Sequence, residues 1–204
     1  MKVCHVTSVH PSTDVRIFWK ECLSLAKRYE VSLIAPNTED RAEQGVNIYG
    51  VSLPKGRLER QRCLGRVLDK MTEIDADIYH FHDPELMRLG VKMKKRGKKV
   101  IFDSHEDVPM QILCKEYIPV FAKKPISMVY SWYEKSLLKK YDAIISVTPS
   151  IIERLEKINP FTFMVTNYPV LAEYNPTREH LGGVKYALPE ALPCNICTKT
   201  SSRL

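Results

Sequence analysis

The chain has 204 residues, 44% of them apolar, which is enough for one large domain or two small ones with a filled core. No window approaches eighteen consecutive apolar residues, and the start Met1-Lys2-Val3-Cys4-His5-Val6 is too short and too quickly polar for a signal peptide, so a cytoplasmic location is expected. The net charge of +7 is concentrated locally, most densely at Lys92, Lys94, Lys95, Arg96, Lys98 and Lys99. Such a run fits a solvated helix end, or a surface for phosphorylated substrates or anionic lipid. No RNP, zinc-finger or basic-zipper pattern accompanies it, which excludes nucleic acid as the expected partner.

In chain order, short β-rich apolar runs alternate with helical patterns. Val3–Thr7 is the first predicted strand, followed by a loop rich in Pro, Ser and Asp. Val15, Phe18, Trp19, Cys22, Leu23 and Ala26 then recur at helical spacing and predict one wide buried face. Strands follow at 31–35 and 46–51. Leu64, Val67, Leu68, Met71 and Ile74 mark a second helix, and Asp77–His82 is the fourth strand. Asp83-Pro84-Glu85 opens a helix, with Asp as cap, Pro in the first turn and Glu at the positive end of the dipole; Gly97 ends it.

Further strands are predicted at 99–103, 143–147 and 163–166, with a long helical insertion at about 125–141. Thr148-Pro149-Ser150 starts one more helix, in which Glu153 completes a capping box with Ser150. Strand–helix alternation with continuous apolar strands implies an α/β fold: a doubly wound, mainly parallel, Rossmann-like sheet of about seven strands. Cys4, Cys22, Cys63 and Cys114 are expected as small buried hydrophobes in a reducing compartment. The domain is expected to span 1–176. Residues 177–204 form an irregular tail without a core-forming element, expected to be poorly ordered.

Ligands of open parallel sheets bind beyond the carboxyl ends of the strands, and polar residues collect there. Ser8, His10, Ser12, Asp14 and Arg16 follow the first strand; His82 and Asp83 end the fourth; Ser104, His105, Glu106 and Asp107 follow the fifth; Thr148 and Asn167 end the last two. Several have plain structural alternatives: Asp83 and Thr148 as helix caps, Ser104 and Asn167 as turn formers, and His80 as a satisfied core histidine on the same side as His82. His10 and His105 sit in loops where packing gives little reason for histidine, which favours function.

A metal site built from His80, His82, His105, Glu106 and Asp107 is the first rival reading, but the spacing lacks a known ligand signature such as HExxH. Cys194 and Cys197 form a lone CxxC without a partner pair. The loop after the first strand contains no glycine, which disfavours a dinucleotide cofactor of the dehydrogenase type.

Taken together, the segment His10-Pro11-Ser12-Thr13-Asp14-Val15-Arg16-Ile17-Phe18-Trp19-Lys20-Glu21 resembles the first-loop signature of bacterial family 4-type glycosyltransferases of capsule and exopolysaccharide synthesis. His80–Leu86, Asp103–Asp107, Ser146–Pro149 and Thr166–Pro169 resemble its later landmarks in the same order, so the likeness runs from residue 1 to about 176.

The resemblance implies half of a GT-B fold: the N-terminal, acceptor-side domain of a retaining, metal-independent enzyme. It would use a nucleotide sugar as substrate, require no cofactor, and act on a glycan or lipid-linked acceptor. By position, His105 matches the catalytic histidine that reaches the donor sugar. His10, Asp14, Arg16, His82, Asp83, Glu106, Thr148 and Asn167 are the substrate-binding candidates. The Gly-rich turn, Arg/Lys pair and Glu-x7-Glu motif of a second, nucleotide-sugar domain do not occur in the sequence, so a truncated, catalytically silent chain is expected. Alternatives are a non-catalytic acceptor- or membrane-binding module and a nucleotide-sugar epimerase relative.

The insertion helix carries two stripes. Ile126, Val129, Tyr130, Tyr133, Leu137 and Tyr141 suit packing on the sheet. Met128, Trp132, Lys135 and Lys139, nearly opposite, suit an anionic lipid headgroup layer or a further protein surface.

Overall fold

The computed structural model describes residues 1–168. The predicted tail and the CxxC therefore lie outside the described residues. Eight strands form one sheet: β1 (Lys2–Val6), β2 (Glu30–Pro36), β3 (Arg41–Glu43), β4 (Val46–Val51), β5 (Ile78–Phe81), β6 (Lys99–Ser104), β7 (Ala143–Ser146) and β8 (Thr162–Met164). Their order is β3-β4-β2-β1-β5-β6-β7-β8. Every pairing is parallel except that of β3 with β4, at the edge. The extra strand is three residues long, too short for its polar sequence to show a period of two.

The helices are α1 (Leu23–Ala26), α2 (Arg57–Ile74), α3 (Met87–Lys95), α4 (Val108–Cys114), α5 (Val120–Leu138) and α6 (Pro149–Glu156). A π-helical segment, Val15–Cys22, runs into α1, and a short 3-10 turn, Pro84–Leu86, into α3. Gly97 (φ 81°) terminates α3: its N–H donates to Lys94 O at 3.0 Å, and Lys98 N–H donates to Met93 O at 3.2 Å. These paired bonds satisfy the last carbonyls of the helix and need a left-handed residue between them. The lysine run is thus a solvated helix end, with Lys92, Lys94 and Lys95 in its last turn.

Alternation along the strands sorts side chains into two layers. Cys4, Val6, Ile34, Tyr79, Phe81, Val100 and Phe102 face the larger core, completed by Val67, Met71, Met87, Met93, Leu138, Ile151 and Leu155 from the helices. Each such fully buried side chain contributes roughly 1.5–3 kcal/mol. On the other face Val31, Leu33, Ala35, Val46 and Ile48 pack on Ile17, Phe18 and Cys22. Toward β1, β5 and β6 the same face turns polar, with His5, His80, His82 and Asp103 all buried under Arg16.

Four local expectations are corrected. The π-helical winding moves the buried stripe of the first helix to Arg16, Ile17, Phe18 and Cys22, and leaves Val15 and Trp19 exposed. The insertion is two helices rather than one. Pro125 lies within α5 instead of opening it. Of the expected stripe Tyr130, Tyr133, Leu137 and Tyr141 do pack on the larger core, Ile126 and Val129 are exposed, and the buried positions of the helix are Ser127, Glu134 and Leu138. Glu134 tolerates burial because Arg154 pairs with it. The last helix begins at Pro149 behind Thr148, which makes no side-chain capping bond, so Ser150 lies inside the helix and is not its cap. Cys4 and Cys22 are buried as expected, whereas Cys63 is half-buried and Cys114 exposed.

Candidate functional site

Strand order runs outward from β1 in one direction and from β5 in the other, so the crossover reverses between these two strands. At such a switch point the loops leave in opposite directions and open a crevice at the carboxyl ends. A cavity of about 530 Å³ lies there. His10, Asp14 and Arg16 line it from the loop after β1, His82, Asp83 and Glu85 from the end of β5, and Asp103, Ser104, His105 and Glu106 from the end of β6. Arg60, Gln111, Lys115, Val147 and Asn167 are among its other lining residues. Thr148 is not among the lining residues and stands exposed at the start of α6.

The loop after β1 is organised by short acceptors. Asp14 Oδ1 accepts from the N–H groups of Arg16 and Ile17, each at 2.9 Å, and so caps the π-helical segment. Its other oxygen lies 3.3 Å from His10 Nδ1, while His10 Nε2 lies 3.6 Å from Asp83 Oδ1. His10 is thereby held between two carboxylates. Asp83 occupies the cap position before Pro84 but makes no capping bond. Its Oδ2 accepts instead from the Thr7 hydroxyl and the Ser8 N–H, both at 2.7 Å. Ser8 also donates to Glu85 at 2.6 Å, and Glu85 pairs with Arg60 across the mouth of the cavity.

Beneath the cavity floor lies a buried charged network. The Arg16 guanidinium donates to both oxygens of Asp103 at 2.9–3.1 Å, donates to Val165 O at 3.1 Å, and ion-pairs with Glu21 Oε1 at 3.0 Å. Asp103 is completely buried. Arg16 therefore lines the cavity with its hydrogen-bonding capacity directed into the protein. Asn167, at the far wall, accepts from Lys20 Nζ at 2.6 Å.

His105 stands over this network with its Nδ1 3.5 Å from Asp103 Oδ1. Its ring lies 6.3 Å from that of His10, edge-on, and is stacked at 5.9 Å on His82. Burial lowers its pKa from the ordinary value, partly offset by Asp103, so the ring is neutral at physiological pH. It can therefore donate one hydrogen bond and accept another. His80 and His82 share one side, with rings 4.6 Å apart, and both pKa values are held well down by burial. The reading of His80 as a satisfied core histidine does not hold, because its Nε2 is buried without a hydrogen-bond partner.

Sequence reasoning left out Asp103, Glu21 and His5 as members of this layer, and Arg60, Glu85, Gln111 and Lys115 as cavity walls. A signal did exist for His5: it is the register partner of His80 in the β1–β5 pair. Seeing it required knowing which strands are neighbours.

The sequence profile of Glycosyltransferase Family 4 matches residues 18–163, more than half of the chain. No curated protein sequence matches. Among solved structures, a sucrose-phosphate synthase from Thermosynechococcus elongatus superimposes with a TM-score of 0.64 at 11% identity, over 87% of this chain and 51% of the synthase. WaaG, a glycosyltransferase involved in lipopolysaccharide biosynthesis, gives 0.54 at 11% identity, over 87% of this chain and 49% of its own. A UDP-N-acetylglucosamine 2-epimerase from Rickettsia bellii gives 0.53 at 10% identity, over 82% of this chain and 45% of its own. At these identities the likeness is one of fold, and the chain spans about half the length of the proteins it matches. On the profile match, with the Rossmann-like half of a GT-B fold beneath it, the chain belongs to Glycosyltransferase Family 4.

Proposed function

We propose that this chain supplies the acceptor-side half of a glycosyltransferase. In this reading a sugar passes from a nucleotide-activated donor to a glycan or lipid-linked acceptor of capsule, exopolysaccharide or related synthesis. Anomeric configuration is retained, and neither a cofactor nor a metal ion takes part in the transfer step. The observation that carries the reading is the convergence of His10 and His105, from separate loops, on one cavity at the switch point of a family 4 sheet.

Sugar transfer needs an oriented acceptor hydroxyl next to a carbon that gains positive character as the diphosphate leaves. The cavity offers suitable parts. Neutral His105 presents a hydrogen bond toward a sugar hydroxyl, with Asp103 behind it to fix the ring. His10, between Asp14 and Asp83, can hold a second hydroxyl. Water is displaced from a space of about 530 Å³, ample for one or two sugar rings.

A membrane-side acceptor is favoured by α5. Met128 and Trp132 are 72% and 74% exposed, with Lys135 and Lys139 on the same stripe and exposed Val120 and Phe121 at the helix start. Apolar tips ringed by lysines suit the inner, anionic face of a membrane. No helix among the described residues is long and apolar enough to cross one. In this reading the chain works in the cytoplasm, peripherally on that face.

Saturation-transfer NMR on the purified chain tests the proposal, using short-chain polyprenyl-diphosphate sugars, free oligosaccharides and a panel of nucleotide sugars. Transfer to the lipid-linked or oligosaccharide ligand, lost in His10→Ala, supports an acceptor site. Preferred binding of a UDP-sugar, with exchange of its ring C2 proton, would point to an epimerase relative instead.

A further inference from the structure

Beside the cavity, which His82 also lines, His5, Glu21, His80 and His82 form a cluster whose convergence sugar transfer does not explain. His5 comes from β1, His80 and His82 from the end of β5, and Glu21 from the last turn of the π-helical segment packed across them. Glu21 Oε2 lies 3.7 Å from His5 Nδ1, 3.8 Å from His80 Nδ1 and 3.8 Å from His82 Nε2. Those separations are too long for hydrogen bonds, and Glu21 Oε2 has no hydrogen-bond partner. His5 Nδ1 and His82 Nε2 are 3.0 Å apart, and the four potential ligand atoms lie within 4.8 Å of one another.

We propose that this cluster is a binding site for a borderline d-block dication of the zinc class, held by three imidazole nitrogens and one carboxylate oxygen. Ligand atoms at roughly 2.0–2.2 Å from a tetrahedral ion stand about 3.4 Å from each other. To close the shell Glu21 must approach the three rings by a few tenths of an ångström, and the 3.0 Å His5–His82 pair must open by a similar amount.

Charge and proton placement agree. Among the described residues Arg16 is the one Lys or Arg paired with Asp103 and Glu21, so two acidic side chains share one guanidinium. A dication in the cluster would stand beside both groups as a second cation. The short His5–His82 contact needs one ring proton between them, and in either tautomer the outer nitrogens, His5 Nε2 and His82 Nδ1, are both buried without a partner among the described residues. With an ion on His5 Nδ1, His80 Nδ1 and His82 Nε2, ring protons sit on His5 Nε2, which has no partner among the described residues, and on His82 Nδ1 and His80 Nε2. His82 Nδ1 and His80 Nε2 lie 3.6 and 3.9 Å from Asp103 Oδ2. Both distances exceed hydrogen-bond length, and Asp103 would have to close on the rings by several tenths of an ångström to complete the carboxylate–histidine–metal arrangement that orients ligating imidazoles. The ion would tie β1, β5 and the Arg16 segment together and fix the ring on which His105 stacks; it would not touch the substrate.

The test uses the full chain stripped with a chelator and then loaded with Zn²⁺ or Co²⁺. Elemental analysis after gel filtration is expected to find one ion per chain. Co²⁺ is expected to show the visible bands of a tetrahedral nitrogen–oxygen site without a thiolate charge-transfer band, and Zn²⁺ to raise the melting temperature in a concentration-dependent way. Glu21→Gln and His5→Gln are each expected to weaken Zn²⁺ binding at least ~10-fold. The pair Cys194→Ser with Cys197→Ser is expected to leave it unchanged. If a ligand variant fails to fold, the wild-type Co²⁺ spectrum decides. Absence of a retained ion, undiminished binding by folded Glu21→Gln, loss of binding with the cysteine pair, or a thiolate band would each overturn the proposal.

Discussion

Replacing Arg16 by Met removes the guanidinium while preserving most of the side chain's volume. In the native protein that group binds both oxygens of fully buried Asp103, pairs with Glu21 and satisfies Val165 O. Without it two carboxylates face each other under the cavity. Removing one partner of a buried ion pair costs about 3–5 kcal/mol, and an unsatisfied backbone carbonyl adds about 1 kcal/mol. The expected loss of about 4–6 kcal/mol is a large share of the ~5–15 kcal/mol that holds a domain folded. Urea unfolding followed by tryptophan fluorescence measures it. Adding Asp103→Asn should recover part of the loss, because the two sites are coupled by a few kcal/mol. A single-variant loss under about 1 kcal/mol, or strict additivity of the two changes, would refute the view that Arg16 neutralises a buried charge.

Acid should destabilise the metal-free protein. Burial holds the His5 pKa down to about 4, from an ordinary 6.5. The unfolded chain therefore binds more protons between those values, and stability present above pH 6.5 is lost as pH falls toward 4. The slope is about 1.4 kcal/mol per pH unit for each such histidine. His80 and His82 act in the same direction, against the opposite contribution of Glu21, whose pKa burial and Asp103 raise. A melting temperature equal at pH 7.5 and 5.0 would contradict this. Gly90→Ala should destabilise by about 1–3 kcal/mol by denaturant titration, since its Cβ would lie 1.9 Å from Tyr141 Oη, which is anchored to Met87 O; no measurable loss would mean that contact is slack. Trp132→Ala with Lys139→Glu should weaken sedimentation with anionic liposomes at least ~10-fold, since reversing one charge near the lipid is worth about 2 kcal/mol; equal binding would remove the membrane reading.

The parallel sheet was legible because its strands are buried on both faces, so β1, β2, β6 and β7 stand out as apolar runs between turn signals. The loop histidines were legible for the converse reason: nothing apolar explains His10 or His105. What escaped was anything set by strand order. His5, His80, Asp103 and Glu21 are spread over a hundred residues of sequence and meet only because β1, β5 and β6 are neighbours. Local periodicity also misled where the backbone departs from α-helical winding, as at Val15–Cys22. It misled again where a polar partner licenses burial, as Arg154 does for Glu134. Asp83 looked like a helix cap and is instead the hub that ties the β1 loop to the end of β5.

The proposal stands or falls on whether His10 and His105 border one cavity that takes the acceptor next to the donor sugar. The chain has six histidines, few enough to follow singly by two-dimensional imidazole NMR while a lipid-linked or free oligosaccharide is titrated. The His10 and His105 signals are expected to move together with one saturation curve, while those of buried His5 and His80 stay in place. Movement of the buried signals alone, or separate curves for His10 and His105, would contradict it.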